Sequence, residues 1–216
     1  MREYVERAQS QVAGLLHWRP GENVFTSGGS KSNNHALKGV FFSKGGTASH
    51  IITKKVEHRA TSNPCLFLDR LRARGIYLPV ENFGRVDPDD RRRAVTPRMV
   101  LISVTHANSE IGPIQPIAEF ARIAREHDIL FQTDAVQSVG KIATDVRELG
   151  SICWRWHLTR SARPRERALC TSAMPRSSPS FMERGRNRVG GLGRKVSLST
   201  WRWKKACELA HPPGGA

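Results

Sequence analysis

Apolar side chains recur at Val5, Ala8, Val12 and Leu15 or Leu16, with charges on the opposite side, so the spacing predicts an amphipathic helix over 2–16. A short β-like run, Asn23-Val24-Phe25-Thr26, follows and breaks at Ser27-Gly28-Gly29-Ser30. Small polar residues suited to an N-cap then lead into a helix through Ala36 and Leu37. His50 to Thr53 reads as a second strand, Cys65 to Arg74 as a helix with Leu66, Leu68 and Leu71 apolar, and Ile76 to Leu78 as a third strand. Asp87-Pro88 opens a short helix that closes before Thr96-Pro97. The run Val100 to Val104 is apolar and β-branched, as in a strand buried on both faces. Ile117, Phe120, Ala121 and Ala124 form a helical stripe, and Ile129 to Phe131 a further buried strand. Strand and helix alternating at these distances predict βαβ crossovers and an α/β fold with a mostly parallel sheet over residues 1–150.

Composition changes sharply after Gly150. Residues 1–150 carry 21 Lys and Arg against 16 Asp and Glu, whereas residues 151–216 carry 14 against 3. The second segment has no Asp, yet holds four of the five Trp and three of the four Cys. Its arginines are scattered singly among Ser, Pro and Gly. We therefore expect two units of different constraint, 1–150 and 151–216, the second irregular. Cys65, Cys153, Cys170 and Cys207 show no C-x-x-C spacing, so neither a disulfide framework nor a zinc ribbon is supported and no metal site is expected. No apolar run reaches the ~18–20 residues of a membrane span, and the N-terminus has no continuous apolar stretch, so the cytoplasm is the expected compartment.

Ligands of open α/β sheets collect beyond the carboxyl ends of the strands. Three polar clusters fall there: Ser27 to Ser30, His106 to Glu110, and Asp134 to Gln137. A Gly-Gly turn before a helix can offer N–H groups to a phosphate, although taken alone a plain turn is the simpler reading. Asp134 could pair with a protonated pyridine nitrogen, hold a metal, or cap a helix. His58 could stack on a cofactor, relay protons, or only cap.

In order, FTSGGSKSNN, KKVEHRAT, HANSEIG and QTDAVQSVGK resemble the cysteine desulfurases of the pyridoxal-phosphate-dependent, class V aminotransferase-like family. The resemblance runs through residues 2–150 and implies part of the large domain of a fold type I pyridoxal-phosphate transferase. It implies that Gly29 and Ser30 bind the cofactor phosphate, that His58 stacks on the ring and serves as acid–base, and that Asp134 keeps the pyridine nitrogen protonated. It also implies that Gln137 meets the phenolic oxygen and that Ser109 stands where the family has a cofactor-contacting Asn. L-cysteine is the implied substrate, with alanine and an enzyme persulfide as products, the sulfur going to Fe–S cluster or thio-cofactor assembly. Selenocysteine lyase shares these motifs and stays open as an alternative. Family members pair as homodimers, which an irregular tail would disfavour.

Beyond Gly150 the family pattern continues with a Schiff-base lysine, but Arg160 occupies its place. Codons consistent with residues 151–174, read one base earlier, allow VDLLAVAxHKxxAPKGAGALYVRD, which puts a lysine at 160. The same shift over 181–196 allows HGAGQEQGxRAGTExV, again family-like, while Lys205 to Ala210 resembles the family in the original frame. The tail thus reads as the right gene in the wrong frame, and its Arg, Trp and Cys excess as GC-rich codons out of phase. A basic, Trp-bearing tail that contacts nucleic acid is the competing reading from another class, and the shifted frame outweighs it. The expected consequence is an inactive copy: no Schiff-base lysine, no nucleophilic cysteine on the family's later loop, and the family's first sixty or so residues missing. Cys65, in an apolar helix stripe, is expected to be an inert buried thiol.

Overall fold

The computed structural model describes residues 6–7, 10–11, 13–14, 23–25, 29–44, 49–108, 110–138, 142, 153–157 and 168–172, with backbone alone for 23–25, 153–157 and 168–172. Seven strands form one sheet: β1 (Asn23–Phe25), β2 (His50–Lys54), β3 (Arg74–Leu78), β4 (Met99–Thr105), β5 (Leu130–Asp134), β6 (Cys153–His157) and β7 (Ala168–Ser172). Their spatial order is β1-β7-β6-β5-β4-β2-β3. From β3 through β6 every neighbouring pair is parallel, and β7 pairs antiparallel with both β6 and β1.

Helices α1 (Gly29–Ser43), α2 (Arg59–Asp69), α3 (Pro88–Arg93) and α4 (Ile117–Glu126) provide the crossovers. Strand pleating sends successive side chains to opposite faces, so each central strand feeds two cores. Ile51 and Leu101 join Leu37, Val40 and Phe41 of α1 with Cys65 and Leu68 of α2. Ile52, Ile102, Val104 and Phe131 join Ile117, Phe120, Ala121 and Ala124 of α4 on the other side. The Phe120 and Phe131 rings stack with centroids 6.3 Å apart. This doubly covered sheet is why VLISV reads as an apolar run interrupted only by Ser103.

Two differences from the sequence expectations have physical causes. The helix expected at 65–74 instead spans Arg59–Asp69. His58 caps its start, and Pro64 lies inside the helix without ending it. Asp69 then terminates it, accepting hydrogen bonds from the Gly75 N–H (2.6 Å) and the Tyr77 hydroxyl (2.9 Å), which frees residues 74–78 for β3. In the stretch after Gly150, where irregular chain is expected, the described residues form strands at Cys153–His157 and Ala168–Ser172. The β5 edge offers unpaired backbone groups to a further strand, and β6 takes them up in parallel.

Arg91 on α3 is a local conflict between charge and burial. It is 2% exposed, its Nη2 pairs with Glu119 at 2.8 Å, and its guanidinium lies 5.0 Å from the Phe120 ring centroid. Its Nε and Nη1 have no hydrogen-bond partner. An unmet buried donor costs ~1–3 kcal/mol, whereas a pair with the half-exposed Glu119 returns ~0–1 kcal/mol. Arg91→Met is therefore expected to raise stability by about 1 kcal/mol, read as a higher urea midpoint. A midpoint that falls instead would show that the two nitrogens are satisfied in solution.

Candidate functional site

Strands β2, β4 and β5 are neighbours, and the residues at or just past their carboxyl ends surround one cavity of about 140 Å³. Val56, Glu57 and His58 follow β2, Thr105 ends β4, and Asp134 ends β5; all line it, with Ala107, Asn108, Glu110, Val136 and Gln137. His58, Asp134 and Gln137, 79 positions apart in sequence, thus meet on one side of the sheet.

His58 is held by capping α2. Its Nδ1 accepts the Ala60 N–H at 3.0 Å, so a neutral ring carries its proton on Nε2. Asp134 is 4% exposed. Its Oδ1 accepts the Val136 N–H at 3.3 Å and its Oδ2 faces the Asn33 amide at 3.3 Å. Its main-chain oxygen accepts the His106 N–H at 3.0 Å, tying β5 to the chain leaving β4.

A second acid reinforces the site. Glu57 accepts the Thr105 N–H on Oε1 at 2.7 Å and bonds the Thr105 hydroxyl through Oε2. The Lys54 ammonium lies 3.4 Å from Oε1, with both side chains fully buried, and donates to the Val56 carbonyl at 2.5 Å. Burial pushes the Glu57 carboxyl above its ordinary range; Lys54 and the two Thr105 donors pull it back, and Asp134 adds to the rise. Glu57 thereby clamps the end of β4 to the turn that carries His58.

The loop after β4 is shaped by its own amides. Asn108 Oδ1 accepts the N–H groups of Glu110 (2.8 Å) and Ile111 (3.2 Å). Gly84, at φ +75°, packs beneath it; a Cβ there would stand 2.4 Å from Ile111 Cδ1. Gln115 fastens the two segments, donating to the Gly84 carbonyl at 2.7 Å and accepting the Val86 N–H at 3.2 Å.

Gly29 and Ser30 open α1, Gly29 buried and Ser30 exposed, and neither lines the cavity. In the same turn, Ser32 Oγ is buried without a hydrogen-bond partner, a donor left over at a helix N-terminus. Ser109 and Arg160 lie outside the described residues. Among the described residues no group of His, Cys, Asp and Glu is arranged to hold a metal ion, and no helix is long and apolar enough to cross a membrane. Sequence reading passed over Glu57 as a site residue, although it stands beside His58 in the quoted motif. It also passed over Asn33, whose signal is a polar side chain on the buried face of α1.

Cys65 is 2% exposed, and burial, then Glu57 and Asp69, push its thiol up to about 12. A thiolate is scarce there at neutral pH, and the residue is absent from the cavity lining. Iodoacetamide at pH 8 followed by peptide mapping should leave Cys65 unmodified in the folded chain and alkylate it in urea. Rapid modification of Cys65 without denaturant would contradict this placement. Because the folded-state value lies above the unfolded one, Cys65 also lowers stability as pH rises from about 9 toward 12.

The aminotransferase class-V family pattern matches residues 1–153. The chain is 50% identical over 149 residues to a cysteine desulfurase IscS of Dictyoglomus turgidum, covering 69% of this chain and 38% of that protein. It is 47% identical over 147 residues to the mitosomal cysteine desulfurase of Encephalitozoon cuniculi, covering 67% and 34%. Among solved structures, SspA in complex with cysteine superposes with a TM-score of 0.71 at 34% identity, over 77% of this chain and 48% of that one. The chain spans about a third of the length of these curated relatives.

Proposed function

The chain belongs to the aminotransferase class-V family, and from that membership we propose that it carries the pyridoxal-phosphate pocket of a cysteine desulfurase without the residues that would make it turn over. The observation that carries the reading is the convergence of His58, Asp134 and Gln137 on one cavity at the strand ends. The residues suit the group: a buried carboxylate for a ring nitrogen, an imidazole for a ring face, and an amide for a phenolic oxygen. Bound there, pyridoxal phosphate supplies an electron sink for charge developing on an amino-acid substrate.

The chain's own groups divide the work. Asp134 would keep the ring nitrogen protonated. His58, with Nδ1 committed to the Ala60 N–H, offers Nε2 as the atom that gives and takes a proton. Glu57 and Lys54 fix the floor between them. Arg160 stands where the covalent lysine belongs, and a guanidinium stays protonated and cannot attack an aldehyde. Cys65 cannot replace the sulfur-accepting thiol, being buried and protonated.

Incubation with pyridoxal phosphate and L-cysteine should form no alanine above the cofactor alone. L-selenocysteine, run in parallel, should also give none. Alanine formed faster than the cofactor-only rate from either substrate would overturn the inactive reading, and the preferred substrate would decide between desulfurase and lyase.

A further inference from the structure

Beneath the cavity runs a chain of buried side chains whose hydrogen bonds all point the same way. Ser103 Oγ donates to Gln132 Oε1 at 2.7 Å. Gln132 Nε2 donates to Asn33 Oδ1 at 3.1 Å. Asn33 Nδ2 donates both to Asp134 Oδ2 at 3.3 Å and to Thr61 Oγ1 at 2.8 Å. Ser103, Gln132, Asn33 and Thr61 are each no more than 1% exposed.

Direction is locked along this chain. An amide has one accepting and one donating end, so whatever holds one end orients the other. The Ser103 hydroxyl occupies the Gln132 oxygen and turns its NH₂ toward Asn33. That NH₂ occupies the Asn33 oxygen and turns the Asn33 NH₂ toward Asp134. Flipping either amide would bring like ends together in a site closed to water, at a cost of ~1–3 kcal/mol per unmet group. Bonds aligned head to tail also polarise one another. The last member reaches two elements at once: Asp134 at the end of β5, and Thr61 in the first turn of the helix that His58 caps.

We propose that Asn33 is a positioning residue. Oriented by Gln132 and Ser103, it fixes the Asp134 carboxylate as a charged acceptor facing the cavity and sets its distance from His58. This rests on the proposed cofactor pocket, and the test separates the two.

The probe is pyridoxamine 5′-phosphate labelled with ¹⁵N in the ring, which has no aldehyde and needs no lysine, added to the full-length chain. The wild-type chain should bind it with the ring-nitrogen shift of a protonated pyridine. Asn33→Leu should bind about tenfold to a hundredfold more weakly, the effect of one lost hydrogen bond to a charged group. Its bound ring shift should move toward the neutral form. Gln132→Leu, which leaves the cavity lining intact, should change both in the same direction by less. A folded Asn33→Leu chain with unaltered affinity and ring shift would overturn the proposal; weaker binding with an unaltered shift would reduce Asn33 to packing and overturn it equally. If Asn33→Leu does not fold, Ser103→Ala removes only the outermost donor and carries the same comparison. If the wild-type chain does not bind the probe, the pocket reading falls. The relay is then judged by exchange of the Asn33 side-chain NH₂ with solvent. It should be slow in the wild type and faster in Gln132→Leu, and fast exchange in the wild type would sink it.

Discussion

Lys54→Met is expected to cost the folded chain about 3–5 kcal/mol at neutral pH, the range for removing one partner of a buried ion pair. Both side chains of the Lys54–Glu57 pair are fully buried, so Glu57 would be left charged in a dry site beside Asp134 or forced to take up a proton. The sign of the pH dependence follows. Glu57 already sits above its ordinary carboxylate range, and a group raised on folding loses stability for the protein as pH climbs through its folded-state value. Removing Lys54 raises it further. The deficit should be largest near pH 7 and shrink as pH falls below ~4, where the carboxyl becomes protonated in both states. Urea unfolding of the two chains across this range measures it. Lys54→Met/Glu57→Gln, which removes both charges, should recover most of the loss. A deficit independent of pH would mean that Lys54 contributes packing and not charge.

The second large effect is on binding. Asp134→Ala should weaken binding of pyridoxamine 5′-phosphate by about a hundredfold or more, since truncating one partner of a buried charge pair costs ~2–5 kcal/mol. Glu110→Gln alters an exposed acid on the same cavity and should change affinity less than about threefold, in keeping with the small worth of exposed charge pairs. Isothermal titration of both variants gives the comparison. Equal losses would show a diffuse electrostatic effect and not a carboxylate placed for the ring nitrogen.

Much of the fold was written in local pattern. The apolar Val100–Val104 run, the Ile117-Phe120-Ala121-Ala124 stripe and Asp87-Pro88 each specify an element by their own periodicity or cap, and each element is found where that pattern puts it. The helix from Arg59 was harder to see because its start depends on His58 accepting a backbone N–H, a role that competes with every other use of a histidine. Strands β6 and β7 were not visible because their partners are distant in sequence: β6 lies against β5 and β7, and β7 against β6 and β1.

The site divides in the same way. His58, Asp134 and Gln137 belong to short motifs with recognisable spacing. The groups that hold them do not. Asn33 meets Thr61 across 28 positions, Gln132 across 99 and Asp134 across 101, and no window of sequence contains such a network. Glu57 shares its motif with His58, but only the fold shows that its partners are Lys54 and Thr105.

Covalent attachment of pyridoxal phosphate decides the proposed function. Borohydride reduction of the full-length chain with one equivalent of pyridoxal phosphate, followed by peptide mapping, tests it most directly. The account predicts substoichiometric label scattered over surface lysines, and a single labelled lysine at 160 once residues 151–203 are replaced by their frame-restored reading. Stoichiometric reduction onto one lysine of the unrepaired chain would contradict it.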